Sequence, residues 1–142
     1  MTDQKNQIPQ LFLRLALSVT MLSAVADRFG FWGKNSAWGN WSNFEKYTQK
    51  LTFFLPESLS TASAYAATTL EMLFPVMLIL GWKTRIAAYG SGFLLLVFAL
   101  SMIMALGPKA PLDFSVWVGS AGAFLLAVQP GYFFSIDHLT QK

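Results

Sequence analysis

The sequence contains no cysteine and one histidine, and only 12% of its residues are charged. The missing cysteines exclude disulfides, iron–sulfur ligation and a thiol nucleophile within this chain. One histidine, His138, near the C-terminal end, excludes bis-histidine haem within the chain, and a zinc site would need carboxylate partners. No metal site is expected. A soluble domain averages about 25% charged residues, so this is a large deficit, and it is uneven. From Ile86 to Leu106 there are 21 residues without a charge, more than the roughly 18 that signal a membrane span. A hydrophobic content of 54% excludes intrinsic disorder. The net charge is +3, but Lys and Arg are scattered singly, so no nucleic-acid partner is expected. Contact with anionic lipid head groups explains that balance more simply.

The chain divides into apolar runs separated by turn chemistry. Lys5 before the run from Ile8 to Ala26 would permit a secretory signal peptide. The run is 19 residues long, and Ser23–Ala26 is a weak cleavage site, so a retained first span is expected. Spans are expected at about 8–27, 60–80, 86–106 and 112–129. Gly81–Arg85 and Gly107–Pro111 form the short connections, and Gln129–Gly131 ends the fourth span. Segment 28–58 is an aromatic-rich loop carrying Trp32, Trp38 and Trp41, with a short amphipathic helix expected near 43–54. Its tryptophans are expected to anchor it in the head-group layer. The expectation is a single all-α domain over 1–142, an integral membrane antiparallel four-helix bundle. An even span count puts both termini on one side. The tight Lys83–Arg85 turn argues for that side being cytoplasmic, in a bacterial inner membrane. The tail from Tyr132 onward is expected along the interface, with His138 in solvent.

Two ionisable residues lie well inside expected spans, Arg14 and Glu71. A charge at the bilayer centre costs about 2.5–3.5 kcal/mol on insertion scales. Arg14 sits about 9 Å from the start of the first span and Glu71 about 14 Å from the end of the second. These depths match, so an Arg14–Glu71 pair is expected. Pro75 lacks the N–H that would bond the Glu71 carbonyl. Ser18 and Thr68, one turn from Arg14 and Glu71, supply hydroxyls to the same cluster. Three readings stay open: a structural ion pair, a ligand or proton site, and an Arg14 that snorkels to the head groups. Asp27 and Arg28 read as an interfacial pair at the end of the first span, Arg85 as part of the basic turn, and Asp113 as a helix-start acid. Arg14 and Arg28 also fall on nearly one face of the first helix, forming a polar seam.

Leu13-Arg14-Leu15-Ala16-Leu17-Ser18, Glu71 with the apolar stretch after it, and Gly81-Trp82-Lys83-Thr84-Arg85-Ile86-Ala87 together resemble the DoxX-like family of small four-span membrane proteins. The chain departs from that pattern at Ser18, where many members have glycine, and in its long aromatic first loop. The resemblance implies a membrane subunit or accessory protein of a quinone-linked oxidoreductase or oxidative-stress complex, and leaves the cofactor open with quinone as one candidate. The chain cannot run redox chemistry alone, so a quinone, a flavin or a protein partner would supply it. Two other functions remain open. One is a small-molecule or lipid binding or transport module. The other is a structural assembly subunit packing its small-residue faces, Ala62–Ala67 and Gly119–Ala123, against partner subunits or a second copy.

Overall fold

The computed structural model describes residues 7–140 and is all-helical among them. The elements are α1 (Gln7–Arg28), α2 (Trp41–Leu51), α3 (Glu57–Leu80), α4 (Thr84–Leu106), α5 (Lys109–Asp113), α6 (Val116–Ala127) and α7 (Ile136–Thr140). Lys5, the charge before the first apolar run, lies outside the described residues.

Each boundary has a local cause. Pro9 sits in the first turn of α1, where a missing N–H breaks no helical bond. Asn40 caps α2 by accepting from the Asn43 N–H at 2.9 Å. Gly81 closes α3 in the left-handed conformation, φ 67°, while the Trp82 N–H returns to the Met77 carbonyl at 3.0 Å. Gly107-Pro108 ends α4.

Helices α1, α3 and α4 are 22, 24 and 23 residues long and apolar enough to cross a membrane. The expected fourth span is interrupted. Ser115 adopts a left-handed conformation, φ 54°, and splits 109–127 into α5 and the 12-residue α6. Asp113 therefore does not start a helix. It ends α5 and forms an exposed ion pair with Lys109, four residues earlier.

Helix α4 packs chiefly on α6, α1 on α3, and α2 lies over α3. The core is built around Leu17, Met77, Leu78, Leu126 and Tyr132, with Ala87, Ala88, Ala123 and Ala127 admitting close helix approach. Ser120 donates to the Gly92 carbonyl at 2.8 Å, tying α6 to α4. The Gly119–Ala123 segment is thus largely spent inside the protein, Gly119 against Leu95 and Gly122 against Leu13. On α3, Ala62 and Ala66 do face outward. Phe12, Val19, Phe93, Val97 and Val118 are exposed on the outer faces, as lipid contact requires.

The register of α1 against α3 positions the interior charges. Ser18 faces Pro75, and Arg28 faces Thr68 and Glu71. The first turns of α3 therefore project beyond Arg28, beside α2. At the other end, the first turns of α1 project beyond the end of α3 toward the C-terminal tail, where Gln10 accepts from the Phe133 N–H at 3.2 Å.

Candidate functional site: an arginine–glutamate pair under an aromatic lid

Glu71 pairs with Arg28, not with Arg14. The Arg28 guanidinium donates to Glu71 Oε2 and to Thr68 Oγ1, the latter at 2.7 Å. All three residues are buried, Arg28 to 2% exposure and Glu71 to 3%. One face of the guanidinium rests on the Phe44 ring, 3.9 Å from its centroid, with Trp38 at 5.6 Å. Matching depths predict the wrong arginine because they assume helices that end flush. The stagger of α1 and α3 brings the last residue of α1 to the middle of α3 instead.

Arg14 has a different task. It is 1% exposed and donates to the Phe133 carbonyl at 3.0 Å and the Phe134 carbonyl at 2.6 Å. Its burial rules out snorkelling, and it forms no ion pair among the described residues; it pins the C-terminal tail to the bundle. Ser18 donates to the Arg14 carbonyl at 2.8 Å and lies 3.2 Å from the Pro75 carbonyl. Ser18 and Pro75 therefore belong to the α1–α3 contact and make no bond to the Glu71 carboxylate, whereas Thr68 does complete the pair. Arg14 and Arg28 both turn inward, so the polar seam of α1 divides into two separate sites at its two ends.

The lid over Arg28 is built by Asp27. Its carboxylate is not paired with Arg28. It accepts from the backbone N–H groups of Ala37, Trp38 and Gly39 at 2.7, 2.8 and 3.2 Å. Charge-assisted bonds of this kind fold the loop back onto the end of α1. That places Trp38 against Phe44, centroids 5.2 Å apart, and against Tyr47 at 5.5 Å. Trp41 lies 4.6 Å from Tyr65 of α3 and 5.5 Å from Phe44. Trp32 stands apart, half exposed, donating to the Ser23 carbonyl at 3.2 Å. Of the loop tryptophans, Trp38 and Trp41 are parts of the lid and only Trp32 keeps the character of a surface anchor. Burial also pushes the Tyr47 hydroxyl above its ordinary pKa.

Two buried N–H donors have no partner among the described residues, Arg28 Nε beneath the lid and Trp41 Nε1 within it. A buried donor left unpaired costs about 1–3 kcal/mol, so both N–H groups would gain from an acceptor. Phe44 and Asp27 are the residues that sequence reasoning passed over or misplaced. The signal for Phe44 was its place on the apolar face of an amphipathic helix next to the first span.

The basic turn is also more than a loop. Arg85 belongs to the first turn of α4, is exposed, and reaches the Gln129 carbonyl at 3.4 Å. Asp137 of α7 caps α4, accepting from the N–H groups of Lys83 and Thr84 at 2.8 and 2.7 Å. Tyr132 is buried, its hydroxyl 3.3 and 3.2 Å from the Leu126 and Ala127 carbonyls. The tail is thus part of the bundle rather than an interfacial strip, although His138 is exposed as expected.

No group of three or more metal-binding side chains occurs among the described residues. No curated protein and no solved structure matches the chain. The DoxX family model matches residues 10–104, a stretch that runs from the first turn of α1 to near the end of α4. It contains Arg14, Asp27, Arg28, the whole lid and Glu71. With well over half its length matched, and with three helices able to cross a membrane, the chain belongs to the DoxX family of membrane proteins.

Proposed function

We propose that this protein is the membrane subunit of a quinone-linked oxidoreductase complex, and that it holds a quinone head group beneath the lid at Arg28 and Glu71. The observation that carries this reading is the buried guanidinium of Arg28, stacked on Phe44, with Arg28 Nε and Trp41 Nε1 still unpaired. A quinone fits that set, because its carbonyls accept hydrogen bonds and its ring packs on aromatic faces. When bound it would supply the two-electron chemistry that the side chains of this chain lack. Arg28 would bind and orient a carbonyl oxygen. Glu71, as the carboxylate paired with Arg28, would accept a proton from a quinol hydroxyl at that position. Trp38, Phe44 and Tyr47 would exclude water.

The architecture proposed with it is an antiparallel four-span bundle. Lys109 to Ala127 would act as one interrupted fourth span, since the 12 residues of α6 give only about 18 Å against a core of about 30 Å. Both termini would lie in the cytoplasm of a bacterial cell, with the lid on the opposite face of the inner membrane.

Tryptophan fluorescence tests the binding site. In a Trp82→Phe/Trp117→Phe background, the remaining tryptophans all lie in the lid loop. A short-chain benzoquinone titrated into detergent-solubilised protein is expected to quench them saturably. Arg28→Gln is expected to weaken that binding about tenfold, equivalent to about 1.4 kcal/mol. Linear, non-saturating quenching identical in both proteins would contradict the reading.

A second reading has its own support: Arg28 already bonds both Thr68 and Glu71 in full burial. On that reading the pair is a structural pin for the lid. It calls for loss of folding, with no quinone binding to lose.

A further inference from the structure

The opposite end of the bundle carries a separate site that none of the above uses. Gln10 is 7% exposed, and its Oε1 accepts from the Phe133 N–H at 3.2 Å. That bond fixes which way the amide points. Its Nε2 is left buried, with no partner among the described residues. Gln10 lines a half-open cavity of about 190 Å³ with Gln7, Gln129, Tyr132, Phe133 and His138. It also lines a second hollow of about 240 Å³, walled by Pro9, Leu13, Leu125 and Leu126 between α1 and α6. Gln129 borders both. A polar recess therefore adjoins an apolar groove, and an unpaired amide donor stands where they meet.

The charge nearby favours one kind of occupant. Arg14 lies one helical turn from Gln10 on the same face of α1 and is held by the Phe133 and Phe134 carbonyls, with Nε unpaired. No carboxylate within salt-bridge distance neutralises it among the described residues. Arg85, on the Gln129 carbonyl, adds a second cation at the rim. Asp137 of α7 acts on Arg14 through its charge at longer range, while its oxygens accept from the N-terminal N–H groups of α4 and so face away from the recess. A buried cation with no carboxylate in direct contact and an unpaired amide N–H both attract anionic oxygen. The groove beside them accepts hydrocarbon.

We infer that this end of the bundle binds an anionic phospholipid, its phosphate oxygens at Gln10 Nε2 over the field of Arg14 and its acyl chain in the groove between Leu13 and Leu125. The site is distinct from the lidded Arg28–Glu71 pair and does not depend on it. Gln10 is the positioning donor, and the Phe133 backbone couples it to Arg14.

Native mass spectrometry of the full chain in mild detergent tests this, with phosphatidylglycerol, phosphatidylcholine, inorganic phosphate and a short-chain benzoquinone as separate probes. One phosphatidylglycerol per chain is expected to be retained, about tenfold more tightly than phosphatidylcholine. Inorganic phosphate alone is expected neither to bind nor to compete. Gln10→Glu keeps the acceptor for the Phe133 N–H but replaces the donor with a negative oxygen, and is expected to weaken retention at least tenfold. Leu125→Trp fills the groove from an exposed position and is expected to do the same without touching the amide, so it serves if Gln10→Glu does not fold. The inference is overturned by equal retention of phosphatidylcholine, by phosphate or benzoquinone displacing the lipid, or by retention unchanged in both variants.

Discussion

Arg28 is held in three ways, and each can be removed separately. Glu71 neutralises it, Thr68 accepts from it, and Phe44 covers its face. Glu71→Gln leaves a buried cation without a counter-charge, which costs about 3–5 kcal/mol in comparable sites. Phe44→Leu keeps the apolar bulk and loses the cation–π contact, so a smaller loss of about 1 kcal/mol is expected. Chemical unfolding in detergent would measure both. Asp27 gives a third case. Asp27→Ala removes the acceptor for three backbone N–H groups and is expected to cost about 2 kcal/mol or more. It should free the lid before the bundle unfolds, seen as faster proteolysis between residues 29 and 56. The sequence makes Glu71 conspicuous, because a carboxylate in an apolar run stands out. Arg28 is hidden by its position: at the end of an apolar run, an arginine looks like an interfacial residue. Asp27 beside it looks like its partner, yet adjacent helix residues point about 100° apart and cannot share one target.

At the scale of elements, stagger is what single-sequence reasoning does not reach. Span lengths, turn residues and the short amphipathic helix of the loop are all visible as hydrophobic periodicity and punctuation. The offset of α1 against α3 is set by long-range contacts: α2 on the projecting part of α3, and the tail on the projecting part of α1. The break at Ser115 is equally hidden, since neither proline nor glycine occupies it. The tail contact yields its own prediction. A Cβ at Gly81 would sit 2.2 Å from the Ser135 Cβ, at a backbone φ of 67°. Gly81→Ala is therefore expected to cost about 2 kcal/mol and to detach the tail, exposing 132–140 to protease. Tyr132 adds a pH dependence. Burial pushes its hydroxyl above the ordinary value of 10.0, with Arg85 opposing in part. Folding therefore favours the protonated phenol. The stability it contributes is present below pH 10 and is lost as pH rises through the higher folded value. Tyr132→Phe is expected to remove that alkaline step from a plot of unfolding midpoint against pH.

At the scale of the whole molecule, two ends of one bundle are specialised differently. At one end an acid–base pair is sealed by aromatic rings. At the other an arginine bonded to backbone carbonyls holds the tail beside an open recess. The DoxX match covers the first end fully and stops before the tail that completes the second. Reporter fusions at the N-terminus, at the C-terminus and in the 29–40 loop are expected to place both termini on one side and the loop on the other. A C-terminal fusion on the loop side would show that α5 and α6 do not cross the membrane.

The most direct measurement is a pair of double-mutant cycles on unfolding free energy, Arg28→Met with Glu71→Gln and Arg14→Met with Glu71→Gln. A coupling above about 1 kcal/mol is expected for Arg28 and Glu71, and one within about 0.5 kcal/mol of zero for Arg14 and Glu71. Strong coupling of Glu71 to Arg14, with none to Arg28, would contradict the register of α1 against α3 and the site built on it.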